Sequence, residues 1–128
     1  MKDFKKLKVW EWAHTLTLSV YDLTQESPKL AQYGLAAQMR RASTAISNNI
    51  AEGYGRGQEP GDWFFHAAQG SAASLEYLML LAFELGLIRG DCYEWFKEMT
   101  AEVQKMLDAM LAKETTEPRE PASLALVQ

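Results

Sequence analysis

The fold of this chain is decided by one stretch, Gln38-Met-Arg-Arg-Ala-Ser-Thr-Ala-Ile-Ser-Asn-Asn-Ile-Ala-Glu-Gly-Tyr-Gly-Arg-Gly57. Wound as a helix, it places apolar and small residues on one face, because they recur at steps of three and four. That face consists of Leu35, Met39, Ala42, Ile46, Asn49 and Gly53. A more polar line runs beside it through Arg41, Ala45, Asn48, Glu52 and Arg56. The stretch therefore predicts a helix with one buried face and a polar edge.

The polar edge needs partners, because charged and amide groups beside a core lose free energy when they are buried unpaired. Glu52 and Arg56 are one helical turn apart and can pair within the helix. Arg41 requires an acid on another helix, and Glu76 is the leading candidate. We expect a structural network that fixes helix register, formed by Arg41, Asn48, Asn49, Glu52 and Glu76. The alternative leaves Arg40, Arg41 and Arg56 exposed as a basic surface for nucleic acid.

Apolar periodicity on either side of this stretch predicts three more helices. The four predicted helices span about 4–26, 35–54, 60–86 and 91–113, with a connector over residues 28–34. The first helix has the apolar seam Val9, Ala13, Leu16, Val20 and Leu23. The expected seam of the third is Phe64, Ala67, Ser71, Ser74, Leu78, Leu81 and Leu85. That of the fourth is Cys92, Phe96, Met99, Val103, Met106 and Met110.

Four helices with short connectors predict an all-α fold, an antiparallel up-down-up-down four-helix bundle over residues 1–113. The small residues in the second and third helices should let those two backbones approach closely. Residues 114–128 contain two prolines and few apolar anchors, so we expect a disordered C-terminal tail.

The first predicted helix has a second usable face. Trp10, His14, Thr17 and Tyr21 lie about 100° around the helix from its apolar seam. Aromatic residues are enriched at protein interfaces. We therefore take Trp10, His14 and Tyr21 as candidate oligomer contacts.

Composition sets the broad class. The chain has 128 residues, one cysteine and a net charge of −4, and 48% of its residues are hydrophobic, as expected for one globular domain. Residues 1–60 carry eight Lys/Arg against six Asp/Glu, and residues 61–128 carry five against eleven. This asymmetry fits a solvated surface, attraction between subunits, or anion binding. No apolar run is long enough to span a membrane, and we expect a cytoplasmic protein.

The residues that could carry chemistry do not assemble into a known pattern. A di-metal bundle needs two Glu-x-x-His motifs, and only Glu11 to His14 has that spacing, although Glu52 and Glu76 could lie nearby. His66 has no glutamate three residues before it, and Cys92 lies on an apolar seam. Gly53, Gly55 and Gly57 follow a helix, so they end it rather than cradle a phosphate. We predict no catalytic residue, metal, cofactor or small-molecule substrate.

At this point the sequence resembles a known family. Gln38-Met-Arg-Arg-Ala, followed by Ile46-Ser-Asn-Asn-Ile-Ala-Glu-Gly and Arg56, is similar to the signature of the four-helix-bundle proteins first described from intervening sequences in bacterial 23S rRNA genes, the S23 ribosomal protein-like family. The resemblance covers about residues 4–112 and includes Leu7-Lys-Val-Trp10, Tyr33-Gly34-Leu35, Gly70-Ser71, Leu75-Glu76, Leu85-Gly86 and Lys105-Met-Leu107.

The resemblance implies an antiparallel four-helix bundle that assembles into a ring-like homopentamer and is not an enzyme. Members of the family have no settled biochemical role, and a related branch assists the reverse transcriptase of diversity-generating retroelements through a basic surface. The family pattern often has proline where this chain has Ser47, and serine where it has Asn48. Without that proline, the second helix should be straighter.

Three functional hypotheses follow. The first is a non-enzymatic scaffold or adaptor that works through protein contact within the oligomer. The second is an accessory protein that binds RNA or assists a reverse transcriptase. Its candidate contacts are Lys5, Lys6, Lys8, Arg40, Arg41 and Arg56. The remote third is a metal-dependent enzyme that uses Glu11, His14, Glu52 and Glu76.

Overall fold

The computed structural model describes residues 3–56 and 61–115, which form helices joined by short turns. A 3₁₀ turn (Phe4–Lys6) comes first in the chain. Five α-helices follow: α1 (Lys8–Glu26), α2 (Pro28–Gln32), α3 (Ala36–Arg56), α4 (Gly61–Glu84) and α5 (Gly90–Thr115). The described residues contain no strand. The predicted all-α class is therefore confirmed, with α1, α3, α4 and α5 as its four long helices.

The four long helices contact one another in a closed circuit. α3 packs most extensively on α4, α4 on α5, α5 on α1, and α1 on α3. Among the described residues, neither α1 with α4 nor α3 with α5 makes a comparable contact. All four helices contribute to one core, whose fully buried large side chains include Leu16, Val20, Met39, Ile46, Ile50, Leu75, Met79, Val103 and Leu107.

The α3–α4 contact is the most extensive among the described helices, and both helices bury small residues. Ala42, Ser43 and Gly53 are buried on α3, and Ala68 and Ala72 are buried on α4. Small side chains let two helix backbones approach closely and bring many atoms into van der Waals contact. The close approach that the sequence predicts for these two helices agrees with this packing.

The helix bounds differ from the predicted ones mainly at the N-terminal end and at the connector. The Asp3 carboxylate accepts a hydrogen bond from the Lys5 amide at 3.1 Å, which caps a 3₁₀ turn rather than α1. Leu7 is extended, so α1 begins at Lys8. The predicted connector contains α2, because Pro28 suits a first helical turn, and α2 buries Leu30 completely. The predicted tail from residue 116 onward lies outside the described residues.

Two glycines end helices in the same way. Gly34 after α2 and Gly86 after α4 have φ angles of 76° and 75°, the left-handed region that a side chain disfavours. The next residue then donates its amide to a carbonyl five residues earlier, Leu35 to Leu30 and Leu87 to Ala82, both at 2.8 Å. These bonds satisfy carbonyls that a helix end leaves unpaired and reverse the chain direction.

The predicted core face of the third helix is wrong by one residue, which is about 100° of rotation. Ser74 and Leu85 are exposed, and only Leu78 of the predicted seam is buried. The observed face consists of Phe65, Ala68, Ala72, Leu75, Leu78, Met79 and Ala82. The periodicity could not fix the phase because α4 carries apolar residues around its whole circumference, with no polar face to mark the outside.

The predicted seam of the fourth helix is correct in part. Phe96 and Val103 are buried as expected, whereas the other members of the seam are only half-buried. The remaining core positions of α5 are Thr100, Leu107 and Leu111. Thr100 is accommodated because its hydroxyl donates to the Phe96 carbonyl at 2.6 Å, which satisfies the polar group locally.

Two adjacent residues of α4 test the observed face. Leu75→Ala should lower the free energy of unfolding by about 2–5 kcal/mol, because it opens a cavity in the core. Ser74→Ala should change it by no more than about 0.5 kcal/mol, because Ser74 is exposed. Urea unfolding followed by circular dichroism measures both. Equal effects, or a larger effect at Ser74, would contradict this phase of the helix.

Candidate interaction surfaces

A polar contact joins α1 to α3 at the centre of both helices. The Thr17 hydroxyl lies 2.8 Å from the Ser47 hydroxyl and 3.0 Å from the Ser43 carbonyl oxygen. It also lies 2.9 Å from the Ala13 carbonyl oxygen of its own helix. Thr17 can thus donate to one of the carbonyls while it accepts from Ser47. Ser47, at the position where the resemblance leads one to expect proline, therefore takes part in holding two helices together.

A second polar contact joins the same two helices, near the end of α1 and the start of α3. Arg40 Nε donates to Thr24 Oγ1 at 2.7 Å, and the Arg40 guanidinium lies 4.5 Å from the centre of the Tyr21 ring. Thr24 is buried, and its hydroxyl in turn donates to the Val20 carbonyl at 2.8 Å. Arg40 is therefore held against α1 by a hydrogen bond and by a cation–π contact.

These two contacts show the relative direction of α1 and α3. Thr24 pairs with Arg40, whereas Thr17, earlier in α1, pairs with Ser43 and Ser47, later in α3. The two helices therefore run in opposite directions. The Phe4–Lys6 turn before α1 consequently contacts α3 near its C-terminal end.

The predicted polar network does not form within the described chain. Arg41 and Asn48 are exposed. The side chains of Arg41, Asn48 and Glu76 make no hydrogen bond or ion pair with another described residue. Asn49 donates to the Ala45 carbonyl of its own helix at 2.8 Å. Only the Glu52–Arg56 pair forms, with Arg56 Nε 2.9 Å from Glu52. The edge of α3 that contacts α1 contains Arg40 and Ser43. Arg41 and Asn48 lie on a different side of α3, which is exposed to solvent.

The six candidate nucleic-acid contacts fall into two groups. Lys5, Lys6 and Lys8 are exposed at the end of the molecule where α3 finishes with Arg56, whereas Arg40 and Arg41 lie at the other end of α3. Arg41 and Arg56 are fifteen residues apart, which is about 22 Å along a helix. Asp3 lies 3.6 Å from Lys5, and Glu52 pairs with Arg56. In the part of the chain that the structure describes, the six candidates therefore form two small basic groups instead of one basic surface.

The three candidate oligomer contacts on α1 are largely engaged within the chain. The Trp10 ring stacks on His14 with 4.7 Å between ring centres and meets Phe4 edge-on at 5.0 Å. Tyr21 is covered on one face by Arg40. Trp10 is half-buried, and His14 and Tyr21 are exposed. Their role between subunits stays a prediction.

Large apolar side chains are exposed along α4, on a surface that the sequence-based assignment missed. Trp63 and Tyr77 are 65% and 60% exposed, and Leu85 is 49% exposed. Trp63 and Tyr77 lie on the side of α4 turned away from the core, together with Gly70 and Ser74, both exposed, and the half-buried Leu81. Leu85 continues this side directly after the last residue of the helix. We call this set (Trp63, Gly70, Ser74, Tyr77, Leu81 and Leu85) the outer face of α4. Its sequence signal is the near absence of charge, since Glu76 is the one charged residue from Trp63 to Phe83.

Gly70 lies near the middle of this outer face, and no described residue packs against it. A Cβ atom added at Gly70 would meet no atom of the chain within 4 Å. Glycine in a helix interior is about 1 kcal/mol less favourable than alanine. Packing among the described residues therefore gives no physical reason for a glycine at this position.

The groups considered for catalysis or metal binding are not assembled. Within residues 3–56 and 61–115, no three His, Cys, Asp or Glu side chains lie close enough together to hold a metal ion. Glu11 and His14 are both exposed on α1. Burial raises the pKa of the half-buried Cys92 thiol, and the neighbouring Asp91 carboxylate raises it further against the opposing effect of Arg89. Cys92 is therefore mostly protonated at neutral pH, unlike an activated nucleophile.

The described helices also bear on membrane association. None of those in residues 3–56 and 61–115 combines the length and the apolar character needed to cross a bilayer.

The described residues form an all-helical fold of four long helices with an apolar face that none of them covers. The chain belongs to the 23S rRNA-intervening sequence protein family, whose model matches residues 5–109. This confirms the family that the Gln38–Gly57 stretch resembles. No curated protein matches the chain.

A solved structure shares the fold. It is a protein of unknown function from the S23 ribosomal protein family of Bacteroides thetaiotaomicron VPI-5482. The match has a TM-score of 0.73 at 19% sequence identity and covers 80% of this chain and 97% of that one.

The α1–α3 polar contact can be measured by a double-mutant cycle. Thr17→Val and Ser47→Ala should each lower the free energy of unfolding by about 0.5–1.5 kcal/mol, because each removes a partner of a half-buried hydroxyl. Their combined effect should be smaller than the sum, since both remove the same bond. Strict additivity in urea unfolding would show that the two hydroxyls are not coupled.

Proposed function

We propose that this chain is a non-enzymatic, self-associating four-helix bundle protein of the cytoplasm that acts as a scaffold or adaptor. The observation that carries the proposal is the outer face of α4, where Trp63 and Tyr77 are exposed beside Gly70. A helix that is apolar all round is normally buried on all sides. Among the residues that the structure describes, only the side of α4 that contacts α3 and α5 is buried.

The chemistry of this face favours protein as the partner. Tryptophan and tyrosine are enriched where interfaces contribute most binding energy, and charged residues are depleted from interface cores. The exposed Gly70 and Ser74 leave room for a neighbouring helix to approach closely between the two aromatic residues. A second copy of the same chain is the simplest occupant, because identical apolar faces cover each other.

The proposal includes an antiparallel up-down-up-down arrangement. Its support comes from pairs that join consecutive long helices. Thr17 and Thr24 of α1 meet α3 in reverse order, as described above. On the next pair, Gln69 of α4 hydrogen-bonds Asp108 near the end of α5, whereas Phe83, later in α4, stacks on Tyr93 near the start of α5, with 5.0 Å between ring centres. Both pairs have the order that antiparallel helices require.

The homopentamer implied by the family resemblance is the assembly that we propose. We place protein contact before nucleic-acid contact for two reasons. The candidate basic residues lie in two groups about 22 Å apart along α3. The whole chain also carries a net charge of −4. A ring would have to bring groups from different subunits together before they could form a continuous basic surface.

The experiment introduces a lysine into the outer face of α4. A Cβ atom added at the exposed Gly70 meets no atom within 4 Å, so Gly70→Lys should leave the helices folded. Between subunits it would bury an unpaired ammonium group, so the affinity of self-association should fall at least tenfold. Sedimentation velocity over a range of protein concentrations measures this change.

The matched control is Gln25→Lys, which adds the same charge at an exposed position of α1. We expect Gln25→Lys to sediment like the wild-type oligomer at concentrations where Gly70→Lys is dissociated. A wild-type chain that is monomeric at micromolar concentration would contradict the proposal. Equal self-association of all three proteins would place the contact elsewhere on the surface.

A further inference from the structure

A groove lies between α1 and α5, on a different side of the molecule from the outer face of α4. It consists of a cavity of about 530 Å³ open to the surface and an adjoining one of about 360 Å³. Trp12 and Met99 line both cavities, so the two form one continuous groove. α1 and α5 contact each other less than any other neighbouring pair of long helices, which leaves the space between them open.

The floor of the groove is apolar. Trp12 of α1 and Trp95 and Met99 of α5 line it, and Trp95 is 40% exposed. Two indole rings supply flat apolar area with a polar N–H edge, and a methionine side chain adapts its shape to different partners. Such a floor suits the apolar stripe of a helix that packs between two others.

The rim of the groove is mainly acidic. Glu98 and Glu102 line the larger cavity, and Glu11 lines the smaller one. Lys105 is the basic residue of the lining. None of the three carboxylates has an ion pair with another described residue. They are therefore available to cations, and they repel an acidic segment.

The groove also sets the length of its occupant. Trp95 and Lys105 are ten residues apart on α5, which is about 15 Å along the helix axis. That length matches about three turns of a bound helix, enough for apolar residues at i, i+3 or i+4, and i+7.

We propose that this groove binds a basic amphipathic helix of a partner protein. The apolar stripe of that helix would lie on Trp12, Trp95 and Met99, and its lysine or arginine side chains would meet Glu11, Glu98 and Glu102. The proposal goes beyond self-association through α4, because it concerns two other helices and a partner of opposite charge. Binding should weaken as salt is added, since Glu11 and Glu98 are exposed to solvent, where salt screens their charge, and Glu102 is half-buried.

The test uses the full chain and a fluorescent model peptide of leucine and lysine, with leucine at i, i+3, i+4 and i+7 along a helix. A peptide with the same leucines and with glutamate in place of lysine is the control ligand. Fluorescence anisotropy should show saturable binding of the lysine peptide that weakens with salt, and at least tenfold weaker binding of the glutamate peptide.

Charge reversal in the protein identifies the site. The double variant Glu98→Lys, Glu102→Lys should weaken binding of the lysine peptide at least tenfold. The matched control is Glu26→Lys at the exposed end of α1, eleven residues or about 16 Å beyond Thr15 of the groove. It should change binding less than twofold. Trp95→Ala, at a partly exposed position, should weaken binding of both peptides without changing the circular dichroism spectrum.

Three results would overturn this inference. One is equal binding of the lysine and glutamate peptides. Another is an equal effect of Glu26→Lys and the double variant. The third is that the lysine peptide does not bind the full chain and that Trp95 is protected from covalent modification. This result would show that the groove is filled by the chain's own residues or by a second copy. Sedimentation of the double variant distinguishes a filled groove from a loss of self-association through α4, because a variant that still self-associates has kept the α4 contact.

Discussion

The structure depends on the burial of α4, the long helix with the fewest charged residues. Glu76 is its one charged residue between Trp63 and Phe83, so nearly every side of α4 favours contact with protein over contact with water. Its inner side supplies Phe65, Leu75 and Met79 to the core and meets α3 over small residues. None of the described residues covers its outer side. The same property that anchors the fold therefore creates the surface that we assign to self-association.

Polar contacts complement this packing by fixing how α1 lies on α3. Thr17 with Ser47, and Thr24 with Arg40, join the two helices at two heights, which sets both their register and their direction. Hydrogen bonds are directional, whereas apolar contact between regular helices tolerates sliding. One consequence concerns charge. Arg40 is drawn onto α1, Arg41 is left in solvent, and the basic residues are divided between the two ends of α3.

The sequence predicts the helices well, but it predicts the buried face of α4 and the side-chain partners of α3 less well. Strict apolar spacing identified α1 and its buried residues Val9, Ala13, Leu16 and Val20, because polar residues mark the opposite side. On α4 no polar side exists, so the predicted seam lay one residue away from the observed one. The predicted network failed for a related reason. Helix geometry places the Arg40 and Arg41 side chains about 100° apart around the axis of α3. Which of the two meets a partner depends on where α1 packs, and the position of α1 is a property of the whole fold.

The central claim is that the outer face of α4 is covered in the assembled protein. Hydroxyl-radical footprinting with mass spectrometry measures this directly, because Trp63 and Tyr77 are reactive side chains that are 65% and 60% exposed in the isolated chain. Tyr33, 58% exposed next to α2, is an internal reference. The account predicts that labelling of Trp63 and Tyr77 falls as protein concentration rises, while labelling of Tyr33 stays constant. Labelling of all three residues that is high and independent of concentration would contradict it.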